Sequence, residues 1–158
     1  MCKHTRTMQP EFFALMRDAL DEAEKGFVQG EVPVGAVLAG PDGKVIARAH
    51  NQPITLKDPT AHAEILAIKK GCLLYENYRL PDSLLVVTLE PCVMCMGAAV
   101  HARVAKLIFG AVDPKRGAAG SLYNLAEDTR LNHRIEVISG VMETECRTLL
   151  QDFFQLRR

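Results

Sequence analysis

The chain is 158 residues long, enough to bury the core of a domain, and most simply forms one domain. Its apolar content of 48% and charged content of 24% are typical of globular proteins and exclude a disordered or fibrous chain. The formal net charge is zero, so no overall basic field favours a nucleic-acid partner, although residues 101–158 carry nine Lys and Arg against seven Asp and Glu.

The start of the chain and its cysteines indicate the cellular compartment in which the protein is expected. The opening MCKHTRTMQP lacks the apolar stretch of a secretory signal, and no run approaches the roughly 18 apolar residues of a membrane span. The five cysteines are odd in number, which favours reduced thiols or metal ligands over a disulfide framework. We therefore expect a cytoplasmic protein that does not bind membranes.

The first half of the chain predicts a helix, a hairpin and a second helix. Apolar side chains at helical spacing predict an amphipathic helix over residues 11–29. The stretch VGAVLAGPDGKVIARAH holds two apolar runs around a Gly-Pro-Asp-Gly turn, which predicts a β-hairpin. After a polar loop that ends at Thr60, a helix is expected from about Ala61 to Lys70.

The second half continues the alternation of strands and helices. SLLVVTLE is apolar almost throughout, as expected of a strand buried on both faces, and AKLIFGAV and RIEVISG predict two more strands. A helix should run from about Pro91 to His101, and another over residues 142–157. Residues 111–133 lack a clear period and predict a long loop of the kind that often carries function. The pattern predicts a layered α/β domain.

A pair of cysteines follows the central predicted strand, in TLEPCVMCMGAAVHA. A proline is tolerated in the first turn of a helix, so Cys92 and Cys95 should share one face of the next helix near its N-terminus, where thiolates are favoured. Taken alone, this spacing suits a redox pair or two packed cysteines as well as a metal site. A structural zinc ribbon would require a second such pair, which the sequence lacks.

His62 supplies a third ligand, in TAHAEILAIKK. One imidazole and two thiolates leave a fourth tetrahedral position open to water, which is the arrangement of catalytic zinc. On a helix, His62 and Glu64 would point to nearly opposite sides, but both can converge beyond its N-terminal end because helical side chains lean that way. Glu64 would then be the general acid/base rather than a ligand. In isolation, the same residues more often represent a helix start with a solvated glutamate.

The two motifs together match the H-x-E…P-C-x-x-C signature of zinc-dependent nucleobase deaminases, whose glutamate is the acid/base. Longer stretches, among them EVPVGAV, DPTAHAEI, FGAVDPKRGAAGS and DFFQLRR, resemble bacterial tRNA-specific adenosine deaminases over residues 31–158. The resemblance implies one zinc ion per chain, a homodimer, and a single domain over residues 1–158. Its fold would be three-layered and cytidine-deaminase-like, with a mixed five-stranded sheet between helices. MCKHTRT has no clear counterpart, so residues 1–8 are expected to be flexible.

The same resemblance implies a reaction, the hydrolysis of adenosine to inosine at the wobble position of an arginine tRNA anticodon. The partner would be the tRNA anticodon stem-loop. Asn51 would contact the flipped base, and the loop from Asp113 to Ser121 and the last helix would hold the neighbouring nucleotides. One of two adjacent phenylalanines should lie in the core, and the other could stack on a base. The residues expected to bind substrate are Asn51, Asp113, Lys115, Phe153, Phe154 and Arg157.

Two other functions remain open from the sequence. A deaminase of a free base or nucleoside, of the guanine or cytosine type, agrees with the zero net charge, whereas the basic last third and the long loop favour tRNA. A non-catalytic zinc-binding partner subunit is disfavoured by Glu64, because a purely structural site has no use for that carboxylate. The basic side chains of the last third are either phosphate contacts or solvated surface: Lys115, Arg116, Arg157 and Arg158.

Overall fold

The computed structural model describes residues 9–158, so the prediction of flexibility for residues 1–8 lies outside the described residues. The strands in chain order are β1 (Gly35–Ala39), β2 (Val45–His50), β3 (Leu84–Leu89), β4 (Lys106–Ala111) and β5 (Glu136–Ser139). The helices are α1 (Pro10–Val28), α2 (Pro53–Leu56), α3 (Ala63–Tyr75), α4 (Val93–His101) and α5 (Glu143–Gln155). None of the helices within residues 9–158 is long and apolar enough to cross a membrane.

The strands form one mixed sheet in the order β2-β1-β3-β4-β5. β1 pairs antiparallel with β2 and β3, whereas β3, β4 and β5 run parallel to one another. Parallel neighbours require a crossover connection, and α4 provides it between β3 and β4. The β3 strand is therefore central, which confirms the prediction made from its apolar sequence, and Val86 at its middle pairs with Val37 and Ile108.

Helices cover both faces of the sheet. Apolar residues of α1 and Cys146 of α5 pack on one face, against Val37, Val86 and Ile108. Residues of α3 and α4, such as Ala67 and Met96, belong to the separate cluster on the other face. Each large side chain buried in this way stabilises the fold by roughly 1.5–3 kcal/mol. The predicted three-layer arrangement is confirmed.

Two element predictions were wrong in detail. The polar loop before Thr60 contains the short helix α2, which the sequence did not predict. The helix expected at Ala61–Lys70 begins at Ala63 and continues to Tyr75. Gly71, the residue after the predicted end, lies inside this helix, and a Cβ at its position would sit 2.2 Å from Leu38 Cδ2. The glycine allows close packing of α3 on the sheet and does not end the helix.

Candidate active site

Three predicted metal ligands meet where α3 and α4 begin. His62 is the residue that precedes α3, and Cys92 precedes α4. Cys95 lies in the first turn of α4 and is buried. The His62 Nδ1 atom lies 3.4 Å from Cys95 Sγ and 3.7 Å from Cys92 Sγ. His62 has an extended backbone and lies outside the helix. Helical geometry therefore does not force its imidazole to the side of α3 opposite Glu64.

The spacing of these ligand atoms fits a zinc ion. Zinc–sulfur bonds of about 2.3 Å and zinc–nitrogen bonds of about 2.0–2.1 Å, at a tetrahedral angle, separate nitrogen from sulfur by about 3.6 Å. The two nitrogen–sulfur distances lie on either side of that value, and all three ligand atoms fall within 4.8 Å of one another. His62, Cys92 and Cys95 could therefore hold one tetrahedral ion and leave its fourth position open.

The protonation of the two cysteines also suits a cation. The Cys95 thiol hydrogen-bonds to Cys92, which lowers the pKa of Cys92 to about 3. The same hydrogen bond, together with burial, raises the pKa of Cys95. Hydrogen bonding to Cys92 raises the pKa of His62. The two sulfur atoms thus compete for one proton, an arrangement in which a divalent cation can replace the proton and take both thiolates as ligands.

Glu64 lies in the first turn of α3, beside the three ligands, and its side chain is buried. Burial disfavours its charged form and raises the pKa of the Glu64 carboxyl to about 7. The carboxyl lines the same cavity as His62 and Cys92, a space of about 120 Å³. Glu64 therefore lies beside the candidate ligands, and its role as the acid/base stays a prediction.

Asn51 lines this cavity as well. The Ala63 amide at the start of α3 donates a hydrogen bond of 3.2 Å to Asn51 Oδ1, so the side-chain Nδ2 is the group that remains for a ligand. This hydrogen bond joins the end of β2 to the start of α3. The remaining residues around the cavity are Val32, Val34, Leu89, Glu90, Asp113 and Arg116.

The long loop after β4 carries Asp113 to the cavity edge. Its Oδ1 atom accepts hydrogen bonds from the amides of Lys115 and Arg116, at 3.0 and 3.2 Å, which folds the chain into a tight turn. Both basic side chains are exposed, and Arg116 lies closer to the site, since it lines the cavity. Asp113 thus has a structural role here in addition to its predicted contact with substrate.

The two phenylalanines of α5 lie in different environments. Phe153 is buried, with its ring centroid 5.5 Å from that of Phe27, and the Arg157 guanidinium lies 4.0 Å above the Phe153 ring. Arg157 also donates to the Gly30 carbonyl at 3.1 Å. Phe153 and Arg157 therefore fasten α5 to the end of α1, which corrects the stacking role considered for Phe153. Phe154 is 50% exposed and remains the ring that could stack on a base.

Two buried carboxylates near the site were missed by the sequence interpretation. Glu31 accepts hydrogen bonds from Ile54 and Thr55, the early amides of α2, at 3.1 and 2.9 Å. Glu90 binds the loop after β4. The sequence does place each glutamate close to an apolar strand, Glu31 before β1 and Glu90 after β3. An acidic residue buried at such a place requires hydrogen-bond partners. The partners themselves lie 23 to 31 residues further along the chain and leave no local pattern.

A family model for the cytidine and deoxycytidylate deaminase zinc-binding region matches residues 11–111 of the chain. That range contains His62, Glu64, Cys92 and Cys95, together with strands β1 to β4 and helices α2 to α4, and it ends before the long loop, β5 and α5. The match covers more than half of the chain and includes the three candidate metal ligands and Glu64.

Similar proteins carry a more specific name. The chain is 49% identical to a tRNA-specific adenosine deaminase of Haemophilus influenzae, over 91% of this chain and 83% of that protein. It is 50% identical to the protein of the same name from Bacillus subtilis, over 89% and 86%. A solved structure from a study of A-to-I editing by tRNA:A34 deaminases at the wobble position superposes with a TM-score of 0.83 and 43% identity, covering 86% of this chain and 98% of that one.

Proposed function

The chain belongs to the cytidine and deoxycytidylate deaminase family, and from that premise we propose that it is a zinc-dependent tRNA adenosine deaminase. The reaction is the hydrolysis of a wobble adenosine to inosine with release of ammonia. The observation that carries the proposal is that His62, Cys92 and Cys95 meet beside a buried Glu64, at a cavity lined by His62, Cys92 and Glu64. The two bacterial relatives and the wobble-position deaminase support tRNA as the substrate.

Each residue around the cavity has a distinct part in the proposed reaction. His62, Cys92 and Cys95 would hold a zinc ion, whose Lewis acidity makes water a good nucleophile near neutral pH. Glu64 takes one proton from the attacking water and delivers it to N1 of the base, then takes the second proton from the new C6 hydroxyl and passes it to the amino group that leaves C6 as ammonia. Asn51 Nδ2 donates a hydrogen bond to an acceptor on the base, such as N7, and so fixes the ring over Glu64.

The substrate must present its adenosine unpaired, because a base inside a duplex cannot enter the cavity. We place the nucleotides next to it against the Asp113–Ser121 loop, whose turn exposes Lys115, and against the outer face of α5 with Phe154. Arg157, although held by Gly30, keeps its charge at the same end of α5. By the resemblance of the sequence, we propose the anticodon of an arginine tRNA as the target.

The oligomeric state and the compartment are part of the same proposal. We infer a homodimer from the resemblance to the bacterial tRNA deaminases, and a cytoplasmic location from the substrate. Large exposed apolar side chains, such as Leu73 and Tyr78, offer surface for a partner copy. Light scattering at micromolar concentration should give twice the chain mass of 17.4 kDa, and a mass of one chain would refute the dimer.

The deciding experiment compares substrates. Purified protein is incubated with an anticodon stem-loop of an arginine tRNA, free adenosine, guanine and cytidine, and kcat/KM is measured for each by ammonia release and inosine mapping. We expect the stem-loop to exceed every free base and nucleoside by several orders of magnitude. If a free base or nucleoside is the best substrate, the chain is a small-molecule deaminase. If no substrate reacts while zinc is bound, it is a non-catalytic zinc-binding subunit.

A further inference from the structure

We propose that Glu90 is the positioning residue that fixes the Asp113–Ser121 loop against the active site. It acts through the loop on the nucleotides that flank the target base and does not exchange protons with the substrate. The first part, the anchoring of the loop, depends on the contacts of Glu90 alone. The second part, the effect on substrate, rests on the proposed function.

Glu90 gathers four hydrogen bonds from three points of the loop. Its Oε1 atom accepts from the amides of Ala119 and Ser121, at 3.2 and 2.9 Å. Its Oε2 atom accepts from the Asp113 amide at 2.9 Å and from the Ser121 hydroxyl. The first and last residues of the loop, Asp113 and Ser121, therefore bind the same carboxylate, which holds the two ends of the loop together.

The environment of Glu90 makes these bonds costly to break. The residue is only 3% exposed, so water cannot replace a lost partner. The backbone at Gly117 passes so close that a Cβ there would lie 2.3 Å from Glu90 Cδ and 2.5 Å from the Asp113 carbonyl oxygen. A glycine at position 117 is thus a condition for the carboxylate to lie inside the loop.

Two short links connect Glu90 to the rest of the site. Along the chain, Glu90 is followed by Pro91 and the predicted ligand Cys92, and the Pro91 carbonyl accepts a hydrogen bond from Ala118 at 2.8 Å. Within the loop, Glu90 holds the Asp113 amide, and the Asp113 carboxylate folds the turn that presents Lys115. The segment that supplies metal ligands therefore also sets the position of the basic turn.

The same geometry argues against Glu90 as a second acid/base beside Glu64. A carboxylate offers about four lone-pair sites, and those of Glu90 meet four donors from the loop. Glu64, in contrast, faces the cavity beside the ligand atoms. Glu90 lines the cavity wall, but its oxygens are engaged with the protein, which is the arrangement of a residue that positions others.

The anchoring is tested by hydrogen–deuterium exchange in Glu90→Gln. The substitution replaces one acceptor oxygen by an amide nitrogen, so at least one loop N–H faces a donor. We expect amide exchange over residues 113–121 to rise about tenfold or more, since a buried hydrogen bond left unmade shifts an equilibrium by that order. Exposed Glu127, which accepts from Asn124 in the same segment, gives the control Glu127→Gln with unchanged exchange.

Two further variants keep the test decisive. Glu31→Gln alters another buried carboxylate and should raise exchange around Ile54 and Thr55 while residues 113–121 stay protected. Ser121→Ala removes one donor to Glu90 and should raise exchange in the loop by a smaller factor than Glu90→Gln. If Glu90→Gln does not fold, Ser121→Ala decides alone. Unchanged loop exchange in a folded Glu90→Gln protein, or in Ser121→Ala in that case, overturns the proposal.

Kinetics test the second part. A destabilised but correctly assembled enzyme would lose active molecules, which lowers kcat and leaves KM unchanged. A mispositioned loop should instead raise KM for the anticodon stem-loop about tenfold, with a smaller change in kcat and with zinc retained. An unchanged KM, or zinc lost in parallel with activity, contradicts the role of Glu90. If the wild-type protein does not act on the stem-loop, the proposed function fails, and the exchange data still decide the anchoring.

Discussion

At the scale of single residues, we assign metal binding and proton transfer to different side chains of the candidate site. The ligand atoms of His62, Cys92 and Cys95 lie within 4.8 Å of one another. The Glu64 carboxyl lies beside them and is buried. The chemistry requires this division, because a group that ligates the ion is not free to carry protons from water to the base. The residue types, their spacing and the deaminase signature together allowed the division to be predicted from the sequence.

Removal of any one ligand should reduce zinc content. We expect about one zinc per chain in the wild-type protein, and clearly less in His62→Ala, Cys92→Ala and Cys95→Ala, because two remaining ligands bind zinc weakly. Elemental analysis of the purified proteins provides the measurement. Cys72→Ala, which changes a half-buried cysteine outside the cluster, is the control and should keep full zinc. Full occupancy in Cys92→Ala would refute the ligand assignment.

Glu64→Gln should keep zinc and fold but lose deamination. The amide preserves the size of the side chain and cannot accept the proton of the attacking water, so kcat should fall by about 10²–10⁴-fold. Single-turnover assays on the anticodon stem-loop, with zinc content and circular dichroism measured on the same sample, test this. Near-normal turnover would mean that another group carries the proton.

At the scale of elements, the sequence predicted what depends on periodicity and missed what depends on distant contacts. The five strands and four longer helices have internal apolar patterns, which SLLVVTLE shows most clearly. The short helix α2 has no buried residue of its own. It forms where Glu31 accepts the amides of Ile54 and Thr55, and a partner 23 and 24 residues away leaves no trace in the local sequence. The hydrogen bonds of Glu90 were missed for the same reason.

The contact between Glu31 and α2 predicts a pH-dependent part of the stability. Burial opposes ionisation of Glu31, but the hydrogen bonds from Thr55 and Ile54 outweigh it and lower the pKa of the carboxyl below 4.5. A lowered pKa stabilises the folded state above the unfolded value and loses that effect as pH falls through the folded value. We expect Glu31→Gln to lose about 1–3 kcal/mol of unfolding free energy at pH 7.

That difference should begin to shrink as pH falls through the unfolded pKa of about 4.3 and should shrink further through the lowered pKa of the folded carboxyl, because below that pKa the wild-type carboxyl is protonated in both states. Urea unfolding of both proteins across this range gives the curve, and only the difference between them is interpreted, since other groups titrate in both. A difference that stays constant over the whole range would contradict the assigned cause.

The two phenylalanines of α5 should respond differently to substitution. Phe153→Ala removes a buried ring and should cost about 3–5 kcal/mol of stability, which lowers Tm by roughly 10 °C. Phe154→Ala removes an exposed ring and should leave Tm nearly unchanged. It should weaken stem-loop binding by about 1–3 kcal/mol if the ring stacks on a base. Thermal unfolding and KM measured on both variants test the assignment, and unchanged binding in Phe154→Ala would remove that contact.

At the scale of the whole molecule, charge and shape suggest how the substrate is recognised. The net charge is zero, so the protein has no general attraction for a polyanion, and positive side chains act locally. Lys115 and Arg116 extend from one fixed turn at the cavity edge, while Arg158 stands at the end of α5. Recognition should therefore depend on a splayed single-stranded loop held at few points, and less on the backbone of the stem.

The salt dependence of binding tests this view of the whole surface. Three phosphate contacts to a single-stranded loop would give a slope of log K against log salt of about −2, since each contributes about −0.7. Stem-loop binding is measured with Glu64→Gln, in which turnover does not interfere, across a range of salt concentrations. Lys115→Ala should make the slope less steep by about 0.7, and Lys44→Ala, in the β1–β2 turn at the opposite end of these strands from Val34 and Asn51, should leave it unchanged. A slope near zero would mean that the protein does not contact phosphates, and it would favour a free base or nucleoside as substrate. A slope steeper than about −5 would require a second RNA-binding surface elsewhere on the protein.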